Sequence, residues 1–106
     1  MAKYRSRLDI VRDMLLAVGD GAKKTHIMYG ANMSYRLLSR YLEEVLEAGL
    51  VTFVKGSSYV VTEKGRKFLE RYEEYCKRRE RLQDRASSVE NEKEELENMC
   101  SNVDAS

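Results

Sequence analysis

The chain contains no proline, so nothing in its covalent backbone forces a helix to stop. It has two cysteines, Cys76 and Cys100, too few and too far apart for a disulfide framework or a zinc site. One histidine, His26, supplies no ligand cluster and reads as a surface residue, so neither a metal nor any other cofactor is expected. No stretch approaches the roughly 18 apolar residues of a membrane span, and no signal peptide is visible. A cytoplasmic protein with no membrane partner is expected. There is no glycine-rich phosphate loop, no HExxH and no nucleophile elbow. Gly19-Asp20-Gly21 is a loop and not a nucleotide fingerprint, because no strand precedes it. Neither an enzyme nor a small-molecule binder is implied. Net charge is also scarce, at +1, so the chain as a whole has little polyelectrolyte attraction to nucleic acid.

What is present is charge of both signs, unevenly placed. Charged residues make up 35% of the 106, well above the usual quarter, and 42% are hydrophobic. That balance fits one domain of moderate core with a long solvated extension. Residues 1–65 hold ten Lys/Arg against seven Asp/Glu, a net +3, while residues 66–106 hold nine against eleven, a net −2. The basic excess therefore lies in the first two thirds of the chain.

Residues 23–51 organise that part. Thr25 is placed to cap a short helix whose apolar side is Ile27, Met28 and Ala31. The turn falls at Gly30 to Met33. Ser34 then caps a longer helix, on which Leu38, Leu42, Val45 and Leu46, flanked by Leu37 and Tyr41, recur at three and four residues. Arg36, Ser39, Arg40, Glu43 and Glu47 take the opposite face, and Gly49 ends the helix at positive φ. Such a helix-turn-helix can lay its second helix, here residues 34–48, in the DNA major groove.

An earlier helix, capped by Ser6 and stopped at Gly19, carries Leu8, Ile10, Val11, Met14, Leu15 and Val18 as core. Lys3 and Arg5 before it are expected to be mobile, and Asp20-Gly21-Ala22 to be a connection. After residue 49, the apolar runs 50–54 and 59–62 flank Lys55-Gly56-Ser57-Ser58, which predicts a β-hairpin. A hairpin directly after a helix-turn-helix is the order of a winged helix. The class expected is mostly α with a small β-hairpin: a winged helix-turn-helix DNA-binding domain over residues 1–66, then a long coiled-coil dimerisation helix with a frayed end over residues 67–106.

That last helix starts at Glu63 behind a Thr62 cap and runs to about Met99, with Gly65 near its beginning. Phe68 and Leu69 are expected to pack on the globular domain. Beyond them, heptad a positions are Tyr72, Arg79, Ala86, Lys93 and Cys100, and d positions are Tyr75, Leu82, Val89, Leu96 and Val103. Every d residue is apolar or aromatic. Residues 77–85 carry +3 and residues 86–98 carry −4, so an antiparallel homodimer lays basic on acidic. With its two-fold axis between Ser87 and Ser88, Ala86 faces Val89 of the other chain, Leu82 faces Lys93, Arg79 faces Leu96, and Arg85 meets Glu92.

The runs AKKTHIMYGANMSYRLLSRYLEEVLEAGLV and YVVTEKGRKFLE resemble a family of small archaeal winged-helix proteins, described as DNA-binding proteins or transcriptional regulators. The likeness rests on Lys24 to Tyr29, Ala31-Asn32-Met33-Ser34-Tyr35, Tyr41-Leu42, Gly49-Leu50 and Thr62-x-Lys64-Gly65, and spans roughly residues 6–75. It implies a dimer through a C-terminal antiparallel coiled coil, with a winged helix at each end. It also implies that Ser34, Tyr35, Arg36, Ser39 and Arg40 occupy the exposed side of the recognition helix. The function expected is a homodimeric transcriptional regulator or architectural protein that binds double-stranded DNA. Arg36 and Arg40 would point at base edges or phosphates, and Lys23, Lys24 and Lys55 would hold phosphates. The alternative is a protein-interaction module in which winged helix and coiled coil serve as a scaffold.

Overall fold

The computed structural model describes residues 5–105, and side chains as far as Ser101. The element order is α1 (Arg7–Val18), α2 (Lys24–Gly30), α3 (Tyr35–Glu47), β1 (Val51–Val54), β2 (Ser58–Val61) and α4 (Glu63–Ala105). This is the expected class: helices, a two-stranded antiparallel hairpin, and a long last helix. No described helix is long and apolar enough to cross a membrane. The chain packs as two units, one through Tyr72 and one from Glu73 onward.

In the first unit, α1 begins in a capping box. Ser6 Oγ accepts from Asp9 N at 3.2 Å, and Asp9 Oδ2 accepts from Ser6 N at 3.1 Å. Together they satisfy two of the orphan donors of the helix start. Its inward face is Ile10, Val11, Met14, Leu15 and Val18. Leu8 does not belong to that core as expected. It sits in the first turn at the margin of the face and stays 44% exposed. Met14, Leu15, Ile27 and Leu38 are wholly buried and hold α1, α2 and α3 together, each contributing about 1.5–3 kcal/mol of hydrophobic stabilisation.

Helix α2 starts at Lys24, so Thr25 is not its cap. Lys23 occupies that position, extended at φ −84° and ψ 161°, with no side-chain capping bond. The cause lies one residue earlier. Ala22, the last residue of the expected connection, exchanges both backbone hydrogen bonds with Tyr59, at 3.0 and 2.8 Å, and so forms a one-residue strand beside β2. Extended backbone fixed at Ala22 makes the helix start immediately afterwards.

Arg5, expected to be mobile, is anchored. Its Nη1 donates to Asp13 Oδ2 and to the Ala31 carbonyl, both at 2.8 Å, and its Nη2 donates to the Asn32 carbonyl at 2.9 Å. It thereby ties the segment before α1 to the turn between α2 and α3. Lys3 lies outside the described residues.

Helix α3 ends in a Schellman arrangement. Gly49 N donates to Leu46 O at 3.1 Å and Leu50 N to Val45 O at 3.0 Å, with Gly49 at φ 75°. This motif takes Leu50, so β1 starts one residue later than the apolar run. Strand register pairs Val51 with Val61, Thr52 with Val60, Phe53 with Tyr59 and Val54 with Ser58. Thr62 then caps α4: its Oγ1 accepts from Gly65 N at 3.1 Å and donates to Gly49 O at 2.6 Å. A single hydroxyl so joins the end of α3 to the start of α4. As expected, Phe68 and Leu69 pack on the core.

Candidate nucleic-acid interface

Ser34 sets the start of α3. It is extended, at φ −73° and ψ 159°, and its Oγ accepts from Leu37 N at 3.2 Å. Helical phase from this cap turns Leu38, Leu42 and Val45 into the core. It leaves Tyr35, Arg36 and Arg40 exposed, with Ser39 half-buried between them. Arg36 and Arg40 are one turn apart on the same outward side.

Charge pairing separates these arginines from those nearer the N-terminus. Arg5 and Arg12 pair with Asp13, and Arg7 pairs with Glu44 at 2.7 Å. Among the described residues, neither Arg36 nor Arg40 has an ion-pair partner. The surface of α3 is also polarised along its length. Its first half carries Arg36 and Arg40, and its second half carries the exposed Glu43 and Glu47. An anionic partner is attracted to the first half and repelled by the second.

Lys24 reaches across from α2. Its Nζ donates to the Tyr35 hydroxyl at 3.4 Å and lies 5.0 Å from the centre of the Tyr35 ring. The hydrogen bond from Lys24, then its charge, then the Ser39 hydroxyl hold the Tyr35 phenol below its ordinary value of 10.0. Lys24, Tyr35 and Ser39 thus form one contiguous group beside Arg36. Lys23 is exposed at the N-cap of α2. Lys55 belongs to a separate element, the hairpin turn, where Gly56 and Ser57 stand at φ 91° and 65°. It is exposed there, and among the described residues no hydrogen bond or ion pair joins it to the α2–α3 group.

The seam residues divide differently. Tyr75, Leu82, Val89 and Leu96 are 48–68% exposed, and Arg79, Arg85, Ala86, Glu92 and Lys93 are exposed around them. Arg79 lies 5.5 Å over the Tyr75 ring. Tyr72 is instead 7% exposed within the first unit, stacked on Phe68, beneath the Arg12 guanidinium, and hydrogen-bonded through its hydroxyl to Asp9. The side chain of Val103 lies outside the described ones. Among the described residues no His/Cys/Asp/Glu group suited to a metal ion occurs.

Two features of this surface escaped sequence reasoning. Tyr29, on the outer side of α2, is 77% exposed. Arg5 steadies the turn that precedes Ser34. No local periodicity announces either one.

Residues 4–80 match the winged helix-turn-helix family. Among solved structures the chain resembles Sso10a-2, a DNA-binding protein from Sulfolobus solfataricus, with a TM-score of 0.73 and 27% identity over 82% of this chain and 95% of that one. It also resembles the MarR family transcriptional regulator SPO1453 from Silicibacter pomeroyi DSS-3, with a TM-score of 0.56 and 23% identity over 70% of this chain and 56% of that one. The second likeness is one of fold alone. No curated protein matches the sequence.

Proposed function

Because the chain belongs to the winged helix-turn-helix family, we propose that it is a homodimeric regulator or architectural protein that binds double-stranded DNA, with α3 in the major groove. The observation that carries this reading is the pair Arg36 and Arg40: exposed, one turn apart, and free of the carboxylates that claim Arg5, Arg7 and Arg12. A guanidinium held in this way can read guanine O6 and N7 with two parallel hydrogen bonds. Ser34 and Ser39 suit backbone or water-mediated contacts, and Lys23, Lys24 and Lys55 suit phosphates. The DNA-binding protein from Sulfolobus solfataricus, alike over most of both chains, supports the same choice of partner.

The acidic second half of α3 supports a particular approach. Glu43 and Glu47 repel phosphate, so the helix enters the groove by its first turn and a half, as recognition helices commonly do. A titration of unrelated duplexes at several salt concentrations tests the reading. Binding should weaken steeply as salt rises, because each phosphate neutralised by Lys or Arg releases counterions. Absence of binding to any duplex at low salt would remove it.

Dimerisation is assigned to α4 beyond Tyr72. Leu82, Val89 and Leu96 form an exposed stripe that a second copy would cover. The +3 of residues 77–85 and the −4 of residues 86–98 favour an antiparallel partner. Each exposed ion pair is worth at most about 1 kcal/mol, so the apolar stripe supplies the association and the charges its direction. Distances between single labels near residues 77 and 98 test the direction. Short distances from each label to its own copy would mean a parallel pair, and a monomer in sedimentation would mean no pair at all.

A further inference from the structure

Lys24 and Tyr35 belong to different helices and meet at the edge of the proposed DNA-reading surface. A phenol oxygen carries one hydrogen and two lone pairs. The Lys24 ammonium has hydrogens only, and at 3.4 Å it takes up the acceptor side of the Tyr35 oxygen. Ser39, one turn along α3, acts on the same oxygen. With one lone pair engaged by Lys24, Tyr35 can turn its own O–H outward, and the residue is 63% exposed. What fits there is an acceptor. Lys24 adds a requirement of sign, because among the described residues no carboxylate neutralises it.

We propose that Lys24 and Tyr35 form one clamp for a single backbone phosphate of DNA, in which the Tyr35 hydroxyl is the directed donor and Lys24 both orients that hydroxyl and supplies the charge. The inference rests on the DNA-binding reading above and separates this corner of the surface from Arg36 and Arg40. A phosphate oxygen is anionic and accepts without donating, as the open valence requires. A base edge mixes donors with acceptors and carries no net charge. Lys24 also stands over the Tyr35 ring, 5.0 Å from its centre, so the ammonium is already placed before any ligand arrives. The contact reports where the backbone runs and not which bases it carries. It sets the register in which Arg36 and Arg40 meet base edges.

Tyr35→Phe isolates the claim, since it keeps the ring and the cation beside it and deletes one oxygen. The full chain is titrated against a panel of short duplexes of unrelated sequence, with circular dichroism confirming that each variant is folded. Tyr35→Phe should weaken binding roughly threefold to tenfold on every duplex, the usual worth of one hydrogen bond, and leave the salt slope unchanged. Lys24→Ala should lower that slope by about 1. In the Lys24→Ala background, Tyr35→Phe should cost little more, because the two act as a unit. A neutral methylphosphonate walked along the duplex should weaken the parent at one position where it weakens Tyr35→Phe less and leaves the double variant Lys24→Ala/Tyr35→Phe unchanged.

The clamp is overturned if Tyr35→Phe binds like the parent, if its loss depends on base sequence, or if the losses of the two variants simply add. The double variant Arg36→Ala/Arg40→Ala distinguishes the levels. If it is weakened while Tyr35→Phe is not, the clamp alone fails. If both bind as the parent does, the DNA-reading role of this surface fails with it.

Discussion

Gly65 lies so close to Leu50 that no side-chain carbon fits between them. A Cβ at Gly65 would overlap the Leu50 carbonyl oxygen and stand 2.6 Å from Val61 Cγ1. Helix α4 therefore starts with its backbone pressed on the strand entry. Gly65→Ala should raise intrinsic helix propensity and nevertheless destabilise the first unit, by about 1–3 kcal/mol, because backbone cannot yield as a side chain does. A thermal melt at or above the parent's would show that α4 can lift away without cost.

Leu42 sits mid-face on α3, 4% exposed, in the core that includes Leu38 and Val45. Leu42→Ala should cost about 2–5 kcal/mol in chemical denaturation, the range for a buried leucine that leaves a cavity. An unchanged midpoint would mean that α3 is rotated from the phase described.

Arg36→Ala and Arg40→Ala should each leave the melting temperature near the parent's, since neither side chain holds the fold together. Where the arginine reads a base, the expected loss is about 1–3 kcal/mol of binding together with relaxed preference at that position. Where it holds a phosphate, all duplexes should weaken alike. Competition between one duplex and its single-base variants separates the two outcomes.

The Tyr35 phenol, held below 10.0 chiefly by the hydrogen bond from Lys24, predicts an alkaline limit to binding. As pH rises through the lowered pKa, the hydroxyl loses its proton. The donor disappears and a negative charge stands beside phosphate, so affinity should fall. Tyr35→Phe should lack that limb of the profile. Folding moves the other way. A group with a depressed folded pKa favours the folded state as pH climbs from that pKa toward the unfolded value, so this group does not unfold the chain where binding is lost. Parallel profiles for parent and variant would dissociate Tyr35 from the effect.

Arg5→Ala should loosen the turn between α2 and α3. The guanidinium serves Asp13, Ala31 O and Asn32 O together, and Asn32 is held at φ 52°. A loss of about 1–2 kcal/mol is expected, with amide hydrogen exchange rising first at residues 31–34. Arg5→Lys, which brings one ammonium in place of a planar fork, should restore only part of it. Exchange that rises uniformly across the first unit would point to general destabilisation instead.

The elements that were legible in the sequence are those written in local chemistry. The three-and-four spacing of Leu38, Leu42 and Val45, the Ser34 cap, the Gly49 stop and the Thr62 cap each depend on neighbours within a turn or two, and each stands where expected. What could not be read depends on partners far along the chain. Ala22 is a strand only because Tyr59 is beside it. Arg5 is anchored by Asp13 and by two carbonyls of the turn 26 and 27 residues away. Thr25 is an acceptable cap by composition, yet extended backbone through Ala22 and Lys23 starts the helix before it. Tyr72 illustrates a different ambiguity. Seven-residue spacing marks a seam, but it marks equally well a helix face turned to its own domain, and burial rather than spacing assigns that residue.

The polarity of α3, arginine at its start and glutamate at its end, limits how much text the proposed reader can take in. Two guanidinium groups a turn apart can interrogate only a few neighbouring base pairs, and so short a word recurs by chance throughout any genome. One copy of this helix is therefore a weak discriminator. Selective addressing would have to come from pooling: two copies whose short words must occur at a fixed separation, or a duplex whose bendability is itself part of the message. A protein satisfied with neither would coat DNA with little regard to what it says.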